Sequence, residues 1–145
     1  MNKNRKRFWE NWNMEHKIKT TKQDGMINIT DIIQDDVRNS KIKDGLAVVF
    51  VPHTTAGVTI NENADPDVVY DVLNTLQKVF PKDSSHLHLE GNSHAHIKAS
   101  IMGSSCTIII ENGMLKLGTW QGVYFCEFDG PRIRRFYTKI IGGVM

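Results

Sequence analysis

Along this chain, short runs with apolar residues at every second position alternate with runs in which they recur every third or fourth. His16 to Lys22 alternates weakly, enough for a first strand. Asn28 or Thr30 can cap a helix through about Ser40, since Ile29, Ile32, Ile33 and Val37 fall roughly on one face, and Lys43-Asp44-Gly45 then ends it. Leu46 to Pro52 (LAVVFVP) is dense in β-branched and aromatic residues and reads as a buried strand. A His53-to-Gly57 turn and a short strand over Val58 to Asn61 follow. Asp65-Pro66-Asp67 is a strong helix start, with a capping carboxylate, proline in the first turn and a second acid favoured by the helix dipole. That helix should reach about Phe80, with Val69, Val72, Leu73, Leu76 and Phe80 as its core stripe.

In HLHLEGNSHAHIK (86–98), Leu87 and Leu89 alternate with His86, His88 and Glu90, which predicts a strand with the leucines inward and the polar three on one face. Gly91 breaks it, and Asn92 or Ser93 can cap a helix ending at Gly103. Thr107 to Glu111 reads as a strand, with Asn112-Gly113 as a hairpin signal into Met114 to Leu117. Thr119 to Phe128 and Ile133 to Ile141 read as two long strands joined by Asp129-Gly130-Pro131-Arg132. Strand pairs interrupted by a few helices, without regular βαβ alternation, predict α+β with a mixed, largely antiparallel sheet.

At 145 residues and 40% hydrophobic content the chain suits one compact domain. Its longest apolar run, Leu46 to Val51, is far below the roughly 20 residues of a membrane span, and no secretion signal is visible, so a soluble, cytoplasmic protein is expected. Cys106 and Cys126 lie in apolar runs without CxxC spacing, which favours buried reduced thiols over a disulfide or metal pair. The net charge of +2 is uneven. Residues 1–13 hold four basic residues and one glutamate, a charge of +3, which leaves the remainder near −1. The leader is expected to be flexible, with residues 14–145 as the domain, and one short basic stretch argues against a nucleic-acid partner.

The histidine cluster changes this picture most. Neutral imidazole suits zinc and other late first-row metals, although no HExxH or similar spacing is present. For any lone histidine a surface or hydrogen-bonded role is the better reading, but two imidazoles flanking a sharp turn with a carboxylate between them favour a metal or catalytic site. On a helix, residues two apart point about 200° away from each other, so His94 and His96 cannot both face it. Were this stretch a second strand instead, His88 and His96 would lie side by side with His94 on their face.

Read together, FVPHTTAGVTINENADPDV, HLEGNSHAHIKASIMGSS and LGTWQGVYFCEFDGPR resemble the YjbQ-like family, whose members carry the label of a secondary thiamine-phosphate synthase. The resemblance spans about Met14 to Gly142 and implies a compact α+β fold, a homotrimer and metal sites near subunit boundaries. It implies His53, His88 and His96 as metal ligands, with zinc first, and leaves His16, His86 and His94 as bystanders. Glu62 and Glu90 are the candidate general bases, and Asn61, Asn92, Lys98, Ser100, Trp120 and Gln121 the candidate substrate-binding residues. Two functions are expected from it: a metal-dependent enzyme acting on a small phosphorylated metabolite, with thiamine-phosphate synthesis as a secondary activity, or a metal or small-ligand binding protein without turnover.

Overall fold

The computed structural model describes residues 10–143. Its elements run β1 (Glu10–Lys19), β2 (Gly25–Asn28), α1 (Thr30–Ser40), β3 (Asp44–Phe50), β4 (Ala56–Glu62), α2 (Pro66–Val79), α3 (Ser93–Met102), β5 (Ser105–Glu111), β6 (Met114–Leu115), β7 (Gln121–Glu127) and β8 (Ile133–Gly143). Five strands pair in the order β1-β8-β3-β5-β6 and three in the order β2-β7-β4, every pairing antiparallel. The fold is α+β, as the strand and helix pattern predicts.

The three-stranded sheet is covered on both faces, which explains why every residue of β7 after Gln121 is buried. Val58, Val123 and Phe125 point one way, into a core shared with Ile33 and Val37 of α1 and with Ala47, Val49, Ile108, Ile110, Phe136 and Ile140 of the larger sheet. Tyr124, Cys126 and Phe128 point the other way, onto Ala95 and Ala99 of α3 and Val69, Leu73 and Leu76 of α2. Each large core side chain so buried contributes about 1.5–3 kcal/mol of transfer free energy. Both thiols are free. Burial pushes Cys126 up to about 12 and Cys106 up to about 11, so neither supplies thiolate at neutral pH.

Several boundaries differ from the sequence reading. β1 begins at Glu10, so Glu10 to Asn13 of the expected leader pair with β8, and Met1 to Trp9 lie outside the described residues. His86 to Glu90 form no strand: Leu87 and Leu89 are 94% and 101% exposed, and the segment turns back through Gly91, whose N–H donates to the carbonyl of His88 over 3.0 Å. The alternation of leucine and histidine is real, but among the described residues no neighbouring strand accepts its hydrogen bonds. β7 and β8 lie in different sheets, so the Asp129-to-Arg132 segment is a crossing between layers rather than a hairpin turn.

Candidate functional site

His53 lies on the segment 51–55 that carries the chain from β3 to β4, and hence from one sheet to the other. Two backbone hydrogen bonds pin this strap: the Val51 N–H to the Ser104 carbonyl, 2.8 Å, and the Phe128 N–H to the Thr55 carbonyl, 3.1 Å. α3 is pressed against β4 where Gly57 meets the helix end; a Cβ on Gly57 would stand 2.5 Å from the Gly103 carbonyl oxygen. This close approach sets the height of α3 above the strap. His96, near the start of α3, and His88, in the loop before it, then reach the same depression as His53.

The depression has a volume of about 410 Å³ and is also walled by Glu90, Asn92, Asp129, Arg132 and Arg134. A neighbouring cavity of about 370 Å³ shares His53, Thr54 and His96 with it and adds Ser100. The rings of His88 and His96 meet edge to face, 5.3 Å between centroids. Asn92 does not cap α3 through its side chain. Its amide instead donates to Asp129 Oδ2 at 2.9 Å, the oxygen that also receives Arg132 Nη2 at 2.9 Å. Asp129 thereby fastens the histidine loop to the crossing segment. The side-chain amide oxygen of Asn92, Oδ1, is buried without a partner among the described residues.

Beneath the pocket Arg134 is 3% exposed and held from several sides. Its Nε donates to Glu127 Oε1 at 2.8 Å, and its Nη2 to Glu127 Oε2 and to Thr55 Oγ1, the latter at 2.7 Å. Thr20 Oγ1 donates to Glu127 Oε1 at 2.8 Å. Burial alone would raise Glu127, but Arg134, the Asp129 N–H and Thr20 together outweigh it and hold the carboxyl below its ordinary range. Arg132 is the more open cation of the two. Asp129 holds its Nε and Nη2, and Nη1 has no partner among the described residues.

Burial first and Arg134 second lower the pKa of His53, so its ring is neutral at pH 7. Its Nε2 accepts the Arg135 N–H at 2.9 Å, which places the proton of the neutral ring on Nδ1. That polarity bears on metal binding. A metal-ligating histidine uses one nitrogen for the ion and donates from the other to a carbonyl or carboxylate; here the second partner is itself a donor, and neither nitrogen of His53 has a free lone pair. His88 and His96 fit a metal seat as a pair of adjacent imidazoles, whereas His53 does not fit in this arrangement. Among the described residues no three His, Cys, Asp or Glu side chains are placed to hold one ion.

Of the residues expected at the site, His53, His88, His96, Glu90 and Asn92 share one pocket, and Ser100 lines its neighbour. Glu62, Asn61, Trp120 and Gln121 are not brought to it. Ala56 of β4 pairs with Glu127 next to the strap, whereas Glu62 pairs with Gln121 at the far end, about 20 Å along the strand. Lys98 lies elsewhere too. It is 1% exposed, paired with Asp24 and packed over Phe128, with His94 on the same side of α3, so the sequence assignment of Lys98 to the histidine pocket is corrected. His16 joins the buried Asp36 at 2.6 Å and stacks on Phe136. Asp129, Arg132 and Arg134 were absent from the expected site. Their signal was the charge density of EFDGPRIRR (127–135), which reads as a turn between strands unless its ends lie in different sheets.

The family model described as "UPF0047 protein YjbQ-like" matches residues 14–143. Among curated proteins, a UPF0047 protein of Methanocaldococcus jannaschii is 57% identical over 88% of this chain and 93% of its own length. The UPF0047 protein YugU of Bacillus subtilis is 53% identical over 87% and 96%. Among solved structures, a conserved protein of the YjbQ/UPF0047 family from Clostridium acetobutylicum is 63% identical, with a TM-score of 0.86 over 88% of this chain and 98% of that one. A protein of unknown function from Sulfolobus solfataricus is 30% identical with a TM-score of 0.88, over 92% and 99%.

Proposed function

This chain belongs to the YjbQ-like UPF0047 family, and on that footing we propose that it is an enzyme acting on a small phosphorylated metabolite in the pocket of His53, His88 and His96. The observation that carries the reading is the meeting of three imidazoles, Glu90 and two guanidinium groups in one cavity of about 410 Å³, drawn from the strap, the loop, α3 and the crossing segment. Arg132 gives a phosphate group a charged partner with an unengaged nitrogen, and Arg134, its charge offset by Glu127 and held by Thr55, forms a fixed floor beneath it. Neutral His53 carries a proton on Nδ1 that can donate a hydrogen bond to a substrate oxygen and so stabilise negative charge developing there. Glu90 is the general base.

We further propose that His88 and His96 hold a divalent metal, zinc first, with the remaining positions filled from outside this chain. When bound, such an ion supplies Lewis acidity to an electron-rich oxygen. A catalytic zinc commonly has three protein ligands, and one chain offers two adjacent imidazoles. The missing donor and the fully exposed Leu87 and Leu89 on either side of His88 both suit a pocket completed at the boundary of a homotrimer. Joining a pyrimidine pyrophosphate to a thiazole phosphate normally relies on magnesium held by carboxylates and substrate phosphates. Asp129 is already engaged by Asn92 and Arg132, which leaves Glu90. Hydrolysis of a phosphate ester or anhydride is therefore the leading reaction and thiamine-phosphate synthesis a secondary one.

One observation favours the second reading, a binding protein without turnover: the Glu90 carboxylate makes no hydrogen bond among the described residues, so nothing positions it. A panel of phosphorylated metabolites assayed with added zinc separates the two. Turnover that drops about a hundredfold or more in Glu90→Gln supports the enzyme. Saturable binding without turnover, or equal rates in the two proteins, sinks the catalytic assignment.

A further inference from the structure

On the side of α3 away from His96, a cavity of about 480 Å³ opens between the segment after β1, the end of α2 and α3 itself. Lys22, Lys82, Lys98, His94, Gln23 and Gln77 line it, and Asp24 is the one carboxylate among them. Asp24 is committed to Lys98, so two ammonium charges remain in excess. Lysine is a compact, strongly hydrated charge, and Lys22 and Lys82 beside the neutralised Lys98 give the concavity a net positive potential that an anion would lower. The inner wall is built rather than merely exposed. Lys98 is 1% exposed and sits over the Phe128 ring at 5.3 Å, and His94 is 8% exposed.

A second, independent observation points to a ligand. His94 Nδ1 is buried without a hydrogen-bond partner among the described residues. Buried polar groups of this kind are nearly always satisfied, and because His94 lines the cavity, a turn of its ring would bring this nitrogen to a ligand oxygen there. The cavity shares no lining residue with the histidine pocket, and α3 separates the two.

We propose that this cavity is a second binding site, for a compact anion of the phosphate class, held by Lys22 and Lys82, with the glutamine amides and the His94 ring completing its hydrogen bonds over the wall formed by the Lys98 and Asp24 pair. It stands apart from the reaction proposed for the His53 pocket and can exist whether or not that reaction does. Lysine ammoniums recognise phosphate as point charges, without the bidentate geometry that would demand one orientation. The site therefore takes inorganic phosphate or the phosphate end of a small monoester.

Inorganic phosphate titrated into the full-length protein, followed by nitrogen-15 NMR of the His94 ring and the Gln23 and Lys98 amides, tests this. Saturable shifts are expected in the millimolar range, with none from sodium chloride at matched ionic strength. Lys22 and Lys82 are exposed, so Lys22→Ala with Lys82→Ala should keep the fold by circular dichroism while weakening binding about tenfold. His53→Ala should leave the shifts in place. Tighter binding of a monoester than of phosphate would assign the site to a metabolite, and the reverse to free phosphate. No saturable shift at these residues, unchanged affinity in the double variant, or loss of the shifts in His53→Ala would each overturn the proposal.

Discussion

His94 and His96 stand two residues apart on α3 and open into different cavities, the first beside Lys98 and the second beside His53. The helix rotates about 200° between them, so one element serves two unrelated pockets. His96→Ala should therefore abolish or severely weaken zinc binding, since it removes half of the proposed imidazole pair. His94→Ala should change zinc affinity little. Zinc titration of both variants, with circular dichroism as the folding control, decides it. Equal losses would mean that His94 reaches the metal after all, and a loss confined to His94→Ala would reverse the assignment.

What could be seen in the sequence follows from how local its cause is. The start of α2 is written in three adjacent residues, and Asp65 indeed accepts the Asp67 N–H at 2.9 Å with Pro66 in the first turn. α3 likewise starts after Asn92 and ends at Gly103, although the Asn92 side chain goes to Asp129 instead of capping the helix. Sheet membership depends on distant partners and cannot be read so. The alternation is legible from His16 onward, whereas the charged stretch before it disguises the first part of β1, whose inward residues Trp12 and Ile18 pack on the core. Leu87 and Leu89 show the converse, a strand pattern with no strand beside it. The histidine set required resemblance to be picked out, and Arg134 was hidden because a buried guanidinium looks like any strand arginine until Glu127 and Thr55 are seen around it.

The Glu127 and Arg134 pair should be costly to break. With 1% and 3% exposure, removing one partner leaves a buried charge uncompensated, and Glu127→Gln should lower unfolding free energy by about 3–5 kcal/mol. Urea unfolding at pH 7 measures it. A loss below about 1 kcal/mol would mean that solvent reaches the pair.

Acid should weaken the fold in two stages. His53 and His94 are both held below 6.5, each by burial first, with Arg134 second for His53 and Lys98 second for His94. The unfolded chain takes up their protons sooner than the fold does, so their contribution is complete above 6.5 and drains as pH falls below it. Glu127, held below its ordinary 4.5, contributes fully above that value and loses its share as pH falls further. Chemical unfolding at steps from pH 8 to pH 3 should show both declines. His53→Gln should reduce the first decline to the share of His94 and leave the second, and an unchanged first decline would show that His53 contributes nothing to it.

Outward-facing apolar residues give the last prediction. Leu46, Phe50, Ile109 and Tyr137 are 39–55% exposed on neighbouring strands of the five-stranded sheet, where Leu46 pairs with Ile109 and Phe50 with Tyr137. A contiguous apolar face on a sheet, together with two fully exposed leucines beside the candidate site, is unfavourable in water and marks a surface for association. We expect light scattering at micromolar concentration to give a homotrimer, and a monomer would overturn this. Leu87→Glu with Leu89→Glu touches no buried contact, so it should leave the fold intact. If the pocket is completed at the boundary between copies, this variant should weaken zinc binding and assembly together. Loss of assembly with zinc binding unchanged would place the third donor in solvent or substrate instead of a neighbouring copy.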